Sequence, residues 1–130
     1  MPSWEDIQTY VRSNYKLSSD KENLFSMVWR FDNDRTHKIL VRKFSSFGED
    51  WIEFRAVVCK GSEMAPQVAL RKNLQFSIGA LGLDSDDDYV LVHNQPLKTM
   101  DMEEFLRPLN QVAKTADKIE SQYSGDNDKW

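Results

Sequence analysis

The chain has 130 residues, of which 40% are hydrophobic and 29% are charged, a composition typical of one globular domain rather than of a disordered chain. Its 17 Lys and Arg residues and 21 Asp and Glu residues give a net charge of −4. Because proteins bind nucleic acid mainly through positive charges that contact the phosphates, no nucleic acid partner is expected. A single cysteine excludes an internal disulfide, and no apolar run reaches the ~18 residues of a membrane span. We expect one cytoplasmic domain over residues 1–130, without membrane contact, whose residues 124–130 form a flexible tail.

The first predicted element is a helix that begins after Ser3. Ser3 can cap it, and Glu5 and Asp6 fall in its first turn, where the helix dipole favours acidic residues. Its apolar side chains recur at helical spacing and are Trp4, Ile7, Val11 and Tyr15. We expect a polar loop over residues 17–23 to follow this helix.

Three strands are predicted next, over residues 24–31, 37–44 and 51–59, because one set of alternate residues is strongly apolar there. That apolar set comprises Phe25, Met27, Trp29, Phe31, Ile39, Val41, Ile52, Phe54, Ala56 and Val58. Successive strands joined by short turns form an antiparallel meander.

A second helix is predicted from Ser62 or Ala65, since Pro66 suits a first helical turn. Its apolar positions are Val68, Leu70 and Leu74. Residues 76–83 could extend this helix, but Gly79 and Gly82 would each cost a helix ~1 kcal/mol relative to Ala. The sequence therefore favours a strand over residues 76–83.

A further strand is predicted over residues 89–93, and it should end near Pro96 because proline cannot donate to a strand ladder. The last helix is predicted from about Asp101, which has capping-box spacing to Glu104. Its apolar stripe comprises Met102, Phe105, Leu109, Val112, Ala116, Ile119 and Tyr123. Pro108 lies within the stripe and is expected to bend the helix.

The acidic segment 84–88 has Asp at alternate positions, as a calcium loop does. Such a loop also needs glycine at its sixth position and a carboxylate at its twelfth. Tyr89 and Gln95 occupy those positions, so the segment is predicted to be a solvated hairpin turn.

The remaining candidate reactive residues also fit structural roles. His37 and His93 belong to no metal-binding or catalytic spacing. Cys59 follows two valines in a predicted strand, where a small buried thiol is expected. We therefore predict no catalytic residue, no cofactor and no metal site.

By strand parity, three arginines share the meander face turned away from the helices. Arginine mixed with aromatic and aliphatic side chains suits contact with a protein, although arginine stems also cover apolar neighbours on ordinary exposed faces. The predicted partner-binding residues on this face are Val28, Arg30, Leu40, Arg42, Trp51 and Arg55.

The predicted order is that of an α+β protein, with a helix, a three-stranded antiparallel meander, a helix, a β-hairpin and a helix. This order resembles the type III secretion chaperone-like fold, and the second half resembles the YbjN family, whose members share it. The resembling residues, within 64–120, are Asn73-Leu74, Phe76-Ser-Ile-Gly79, Leu83-Asp84, Tyr89-Val-Leu-Val92, Pro96-Leu97, Met102-Glu-Glu-Phe-Leu106, Leu109 and Ala116-Asp117. Pro108 departs from the family pattern.

The resemblance implies a bacterial homodimer that binds a protein partner, is linked to regulation and has no catalytic residues. We therefore predict a non-enzymatic chaperone-like or adaptor protein. Its dimer would form through the second helix and the late hairpin, at Leu70, Leu74, Ile78 and Leu81. One alternative is a small-molecule-binding domain or weak enzyme, which needs an apolar cavity between the sheet and the last helix, and another is a structural or immunity-type partner protein.

Overall fold

A computed structural model describes residues 2–124 and residue 130, which form three α-helices and one six-stranded sheet. The helices are α1 (Trp4–Asn14), α2 (Pro66–Lys72) and α3 (Met102–Tyr123), and a short 3-10 turn spans Gly61–Glu63. The strands are β1 (Leu17–Lys21), β2 (Leu24–Arg30), β3 (Thr36–Ser46), β4 (Glu49–Lys60), β5 (Ala80–Leu83) and β6 (Asp88–Pro96). This order confirms the predicted α+β fold and adds one strand to it.

The strands pair antiparallel in the order β1-β2-β3-β4-β6-β5. Cross-strand pairing places Phe25, Val41, Phe54 and His93 in one row on the same face. Both long helices pack on this face, since Trp4 stacks on Phe25 with ring centroids 5.4 Å apart and Phe105 lies 5.5 Å from Phe54. The opposite face of the sheet is thus turned away from α1 and α3.

Capping and burial explain where the two long helices begin and which side they present. Ser3 with Asp6, and Asp101 with Glu104, form reciprocal capping boxes, so backbone N–H groups of the first turns bond to side-chain oxygens. The buried stripe side chains include Ile7, Val11, Phe105, Leu109, Val112 and Ala116, all 0% exposed. None of the described helices has both the length and the apolar run that a bilayer crossing needs.

Residues 17–21, predicted as part of a polar loop, instead form the edge strand β1. Hydroxyl groups join it to β2, since the Oγ atoms of Ser18 and Ser19 each lie 2.7 Å from Ser26 Oγ. An edge strand can remain largely polar because one side of its ladder meets water. It therefore leaves no hydrophobic period in the sequence.

The predicted strand over residues 76–83 is shorter in the structure, where only Ala80–Leu83 is extended. Gly79 has a φ of +94°, a conformation that glycine adopts at little steric cost, and it turns the chain into β5. The Asn73 side chain holds this turn, because its Oδ1 accepts from the backbone N–H of Leu81 at 2.7 Å.

α3 runs without interruption through Pro108. A proline has no backbone N–H, so the carbonyl of Glu104 loses the donor that the helix would otherwise supply. The Gln95 side chain of β6 provides a replacement, with its Nε2 donating to Glu104 O at 3.1 Å. A side chain of the sheet thus satisfies the backbone group that the proline leaves without a partner.

The predicted flexible tail at 124–130 lies mostly outside the described residues, which omit 125–129. Ser124 is buried, and its hydroxyl donates to Glu63 Oε1 at 3.2 Å. Trp130 contacts the sheet, at the site described next.

Candidate functional site: the open face of the sheet

The sheet face turned away from α1 and α3, which we call the open face, mixes apolar and charged side chains. Its central members are Val28, Arg30, Lys38, Leu40, Arg42, Phe44, Trp51, Glu53, Arg55 and Val57. Pairing places Leu40 beside Arg55 and Phe44 beside Trp51. Val28 is 43% exposed, so apolar surface is available to a partner on this face.

All six predicted partner-binding residues lie on the open face, but they do not converge on one point. Leu40, Arg42 and Arg55 are neighbours at its centre. Arg30 and Trp51 lie at opposite ends, because their strand partners, Thr36 and Phe44, are eight residues apart in β3. At about 3.4 Å per residue this separation is roughly 27 Å, so a partner that touches both residues must span most of the open face.

The two central arginines, Arg42 and Arg55, differ in the hydrogen bonds that their guanidinium groups form. Arg42 binds Glu53 through two hydrogen bonds, Nε to Oε1 at 2.9 Å and Nη2 to Oε2 at 3.2 Å, and its guanidinium lies over the Phe44 ring. Arg55 Nε is 3.9 Å from Glu53 Oε1 and is buried without a hydrogen bond to any described residue. Arg55 therefore retains a donor that nothing described in the chain uses.

An apolar cavity of about 360 Å³ opens on the centre of the open face. It is lined by Lys38, Leu40, Arg55, Val57 and Trp130. Two of these, Leu40 and Arg55, are predicted partner-binding residues. Trp130 was not predicted to bind a partner, because a single aromatic residue after a polar segment shows no hydrophobic periodicity that would place it on a sheet.

Hydrogen bonds to β3 and α3 fix the backbone of Trp130. Lys38 N donates to Trp130 O at 3.3 Å, and Trp130 N donates to Glu120 Oε2 at 3.0 Å. The β3–β4 ladder begins only at Leu40 and Arg55, so Trp130 accepts the Lys38 bond beyond the end of that ladder. The indole Nε1 is buried and has no hydrogen-bond partner in the described part of the chain.

A buried charged cluster links the start of β3 to the end of α3. Arg35 Nε lies 3.1 Å from both carboxylate oxygens of Asp117, and its Nη2 lies 3.1 Å from Glu120 Oε1. The fully buried His37 places Nε2 2.6 Å from Val57 O and Nδ1 3.5 Å from Glu120 Oε1. These contacts connect the part of β3 that lies beside Trp130 to helix α3.

The same cluster has the donor atoms of a metal site, since ligand atoms of His37, Asp117 and Glu120 lie within 4.8 Å of one another. Arg35 already forms ion pairs with both carboxylates. A divalent cation would have to displace that guanidinium, so the arrangement fits an internal ion-pair network better than a metal centre.

Cys59 is buried, as the sequence predicts. Burial raises the pKa of its thiol from 9.0 to about 11, with smaller contributions from the negative charges of Glu63 and Asp88. At neutral pH the group is a thiol rather than the thiolate that nucleophilic chemistry requires.

The acidic segment 84–88 was predicted as a hairpin turn, and residues 84–87 form the turn between β5 and β6, while Asp88 begins β6. Asp84 Oδ1 accepts from the backbone N–H groups of Asp86 and Asp88 at 2.9 and 3.0 Å. Asp87 has a φ of +59°, which aspartate tolerates better than most residues. Local backbone bonding thus accounts for the position of Asp84.

The four predicted dimer-interface residues differ in exposure. Leu70 and Leu74 are 67% and 89% exposed, and Leu74 lies in the turn after α2 rather than on it. Ile78 is partly buried, and Leu81 is only 9% exposed because it packs in the core. Leu81 therefore offers little surface to a second copy of the chain.

Solved structures that share this fold include two complexes. A chain of the HopA1-SchA chaperone-effector complex is 13% identical, covers 89% of this chain and 89% of its own length, and superposes with a TM-score of 0.65. A chain of the ExsC-ExsE complex is 13% identical, covers 98% of this chain and 100% of its own, and has a TM-score of 0.59. No protein-family model and no curated protein matches the chain, so the resemblance to the YbjN family stays a prediction. The likeness to the two complexes shows that the chain has the type III secretion chaperone-like fold.

Proposed function

We propose that the protein is a non-enzymatic, cytoplasmic, chaperone-like homodimer that holds an extended segment of a protein partner on its open face. The observation that carries this proposal is the centre of that face, where Leu40 and Val57 line an open cavity together with Lys38, Arg55 and Trp130. No helix in the described part of the chain packs on it, since α1 and α3 occupy the other face and α2 contacts β5.

Two further points support a protein partner. Both structural neighbours belong to complexes of two proteins, one of them a chaperone with its effector. The open face also combines apolar area, which drives association, with arginines, which orient a partner and favour one register. The resemblance to the YbjN family adds a role in regulation to the proposal.

The test is affinity capture from the native cell with a matched pair of variants. Leu40→Gln keeps the size of the side chain and removes its apolar character at the centre of the open face. Because burying a leucine contributes ~1.5–3 kcal/mol, we expect the variant to bind the captured partner at least about tenfold more weakly.

The control is Phe47→Gln, which changes a 99% exposed aromatic residue in the β3–β4 turn. It should capture the same partner as the wild-type protein. A folded Leu40→Gln variant that captures as well as Phe47→Gln would overturn the proposal, and so would a wild-type protein that captures nothing above a tag-only background.

The alternative of a small-molecule-binding domain or weak enzyme needs an apolar cavity between the sheet and α3. Under the middle of α3 this space is filled by Phe105, Leu109 and Val112, each 0% exposed. The opening of about 280 Å³ between the end of β6 and the start of α3 is lined partly by polar side chains, Gln95, Thr99, Glu104 and Arg107, so neither place offers the apolar cavity that this alternative needs.

A further inference from the structure

The cavity on the open face has two cationic side chains at its rim. The Arg55 side chain is 42% exposed, so its guanidinium can be reached from solvent although Nε itself is buried. Lys38 is exposed beside the same cavity. A group bound in the cavity can therefore contact both cations.

The charge of the cavity wall indicates which acceptor is favoured. Among the described residues, Lys38 and Arg55 line it and no acidic side chain does. The neighbouring carboxylate of Glu53 lies 3.9 Å from Arg55 Nε, but both of its oxygens are bound by Arg42. A chain with a net charge of −4 thus has a locally positive cavity, which favours an anionic acceptor.

The rest of the wall is apolar. Leu40, Val57 and the ring of Trp130 enclose most of the space of about 360 Å³. A simple anion would leave these walls without contacts, since filling them requires a hydrophobic group. The complementary ligand therefore carries a large apolar group beside a negative charge.

We propose that the cavity receives a large apolar side chain of the partner segment, and that an acidic residue adjacent to it pairs with the Arg55 guanidinium, beside Lys38. This inference rests on the proposed function and specifies the chemistry of the partner. The bond from Arg55 to a carboxylate is charge-assisted and is roughly twice as strong as a neutral hydrogen bond. The acidic residue should therefore contribute most to which partner segments the cavity binds.

Calorimetric titration with short peptides tests the proposal. All peptides are acetylated and amidated at their ends, so that the only carboxylate is that of a side chain. One contains Asp followed by Phe, a second has Asn in place of the Asp, and a third has Ala in place of the Phe. We expect the first to bind at least about tenfold more tightly than either of the others, which corresponds to ~1.4 kcal/mol.

Variants of the full chain assign the effect to the cavity. Arg55→Leu removes the donor but keeps apolar bulk, and it should weaken the Asp-Phe peptide about tenfold and abolish its advantage over the Asn peptide. Arg107→Leu is the matched control, because Arg107 is an exposed arginine on α3, on the other side of the sheet, and it should change affinity by less than about twofold.

Equal affinity for the Asp and Asn peptides would overturn the proposal. So would an equal loss in Arg55→Leu and Arg107→Leu, or no binding of any peptide at millimolar concentration. The broader proposal fails separately, when Leu40→Gln leaves partner capture intact. If Leu40→Gln is defective while Arg55→Leu captures the partner normally, only the acidic–apolar preference is wrong.

Discussion

Arg35 joins parts of the chain that are far apart in sequence, since Asp117 and Glu120 lie 82 and 85 residues away from it. Glu120 is fully buried and also accepts from the backbone N–H of Trp130. Removing one member of a buried ion pair leaves the other charge desolvated without its partner. The carboxylate of Glu120 therefore links Arg35, α3 and the backbone of Trp130.

Glu120→Gln should lower the free energy of unfolding by about 3 kcal/mol, the lower end for breaking a buried pair, because Asp117 still faces Arg35. Urea denaturation followed by circular dichroism measures the change. Glu103→Gln is the control, since Glu103 is exposed and pairs with Arg107 on the surface of α3, and it should lower the free energy by less than about 0.5 kcal/mol. Equal effects of the two substitutions would show that the buried cluster adds no stability.

At the scale of elements, α3 depends on the sheet for one hydrogen bond. Pro108 removes the N–H group that would reach Glu104 O, and Gln95 Nε2 lies there instead at 3.1 Å. An isolated α3 would leave this carbonyl to water. The helix and β6 are therefore linked by a polar contact in addition to their apolar packing.

A double-mutant cycle tests this link. Gln95→Ala should lower the free energy of unfolding by about 0.5–1.5 kcal/mol in the wild-type background. In the Pro108→Ala background the helix regains its own donor, so the same substitution should have a smaller effect, with a coupling of about 0.5 kcal/mol or more. Thermal and urea unfolding of the four proteins measure the coupling, and additive effects would contradict it.

Elements that bury one side could be predicted from the sequence, because burial imposes a period on it. The stripes of α1 and α3 and the alternation in β2, β3 and β4 are of this kind, and parity alone placed Leu40 and Arg55 on the open face. β1 could not be predicted in this way, since its serines are held by hydroxyl contacts to Ser26. The Arg35 cluster and the contact of Trp130 with Lys38 also lack a sequence signal, because they join residues whose proximity only the complete fold creates.

The two edges of the sheet differ at the scale of the whole molecule. β1 carries charged residues, and its Asp20 is paired with Arg12 at 2.7 Å, which discourages pairing with another strand. β5 is short and uncharged, and it lies beside α2 and the exposed Leu70 and Leu74. An uncharged edge beside exposed leucines suits a second copy of the chain, so the α2–β5 side is the proposed dimer interface.

Leu74→Glu should therefore convert a dimer into a monomer. In a two-fold symmetric interface each substitution acts twice, so the loss of two buried leucines at ~1.5–3 kcal/mol each predicts a dissociation constant raised at least about 100-fold. Light scattering should give twice the chain mass of 15.2 kDa for the wild-type protein and a mass near 15.2 kDa for the variant.

Phe47→Glu is the control for this prediction. It places the same charge at a 99% exposed residue in the β3–β4 turn, away from the α2–β5 side, and the protein should remain dimeric. A wild-type mass near 15.2 kDa at all concentrations would remove the dimer from the proposal, whereas a dimeric Leu74→Glu variant would place its interface elsewhere on the molecule.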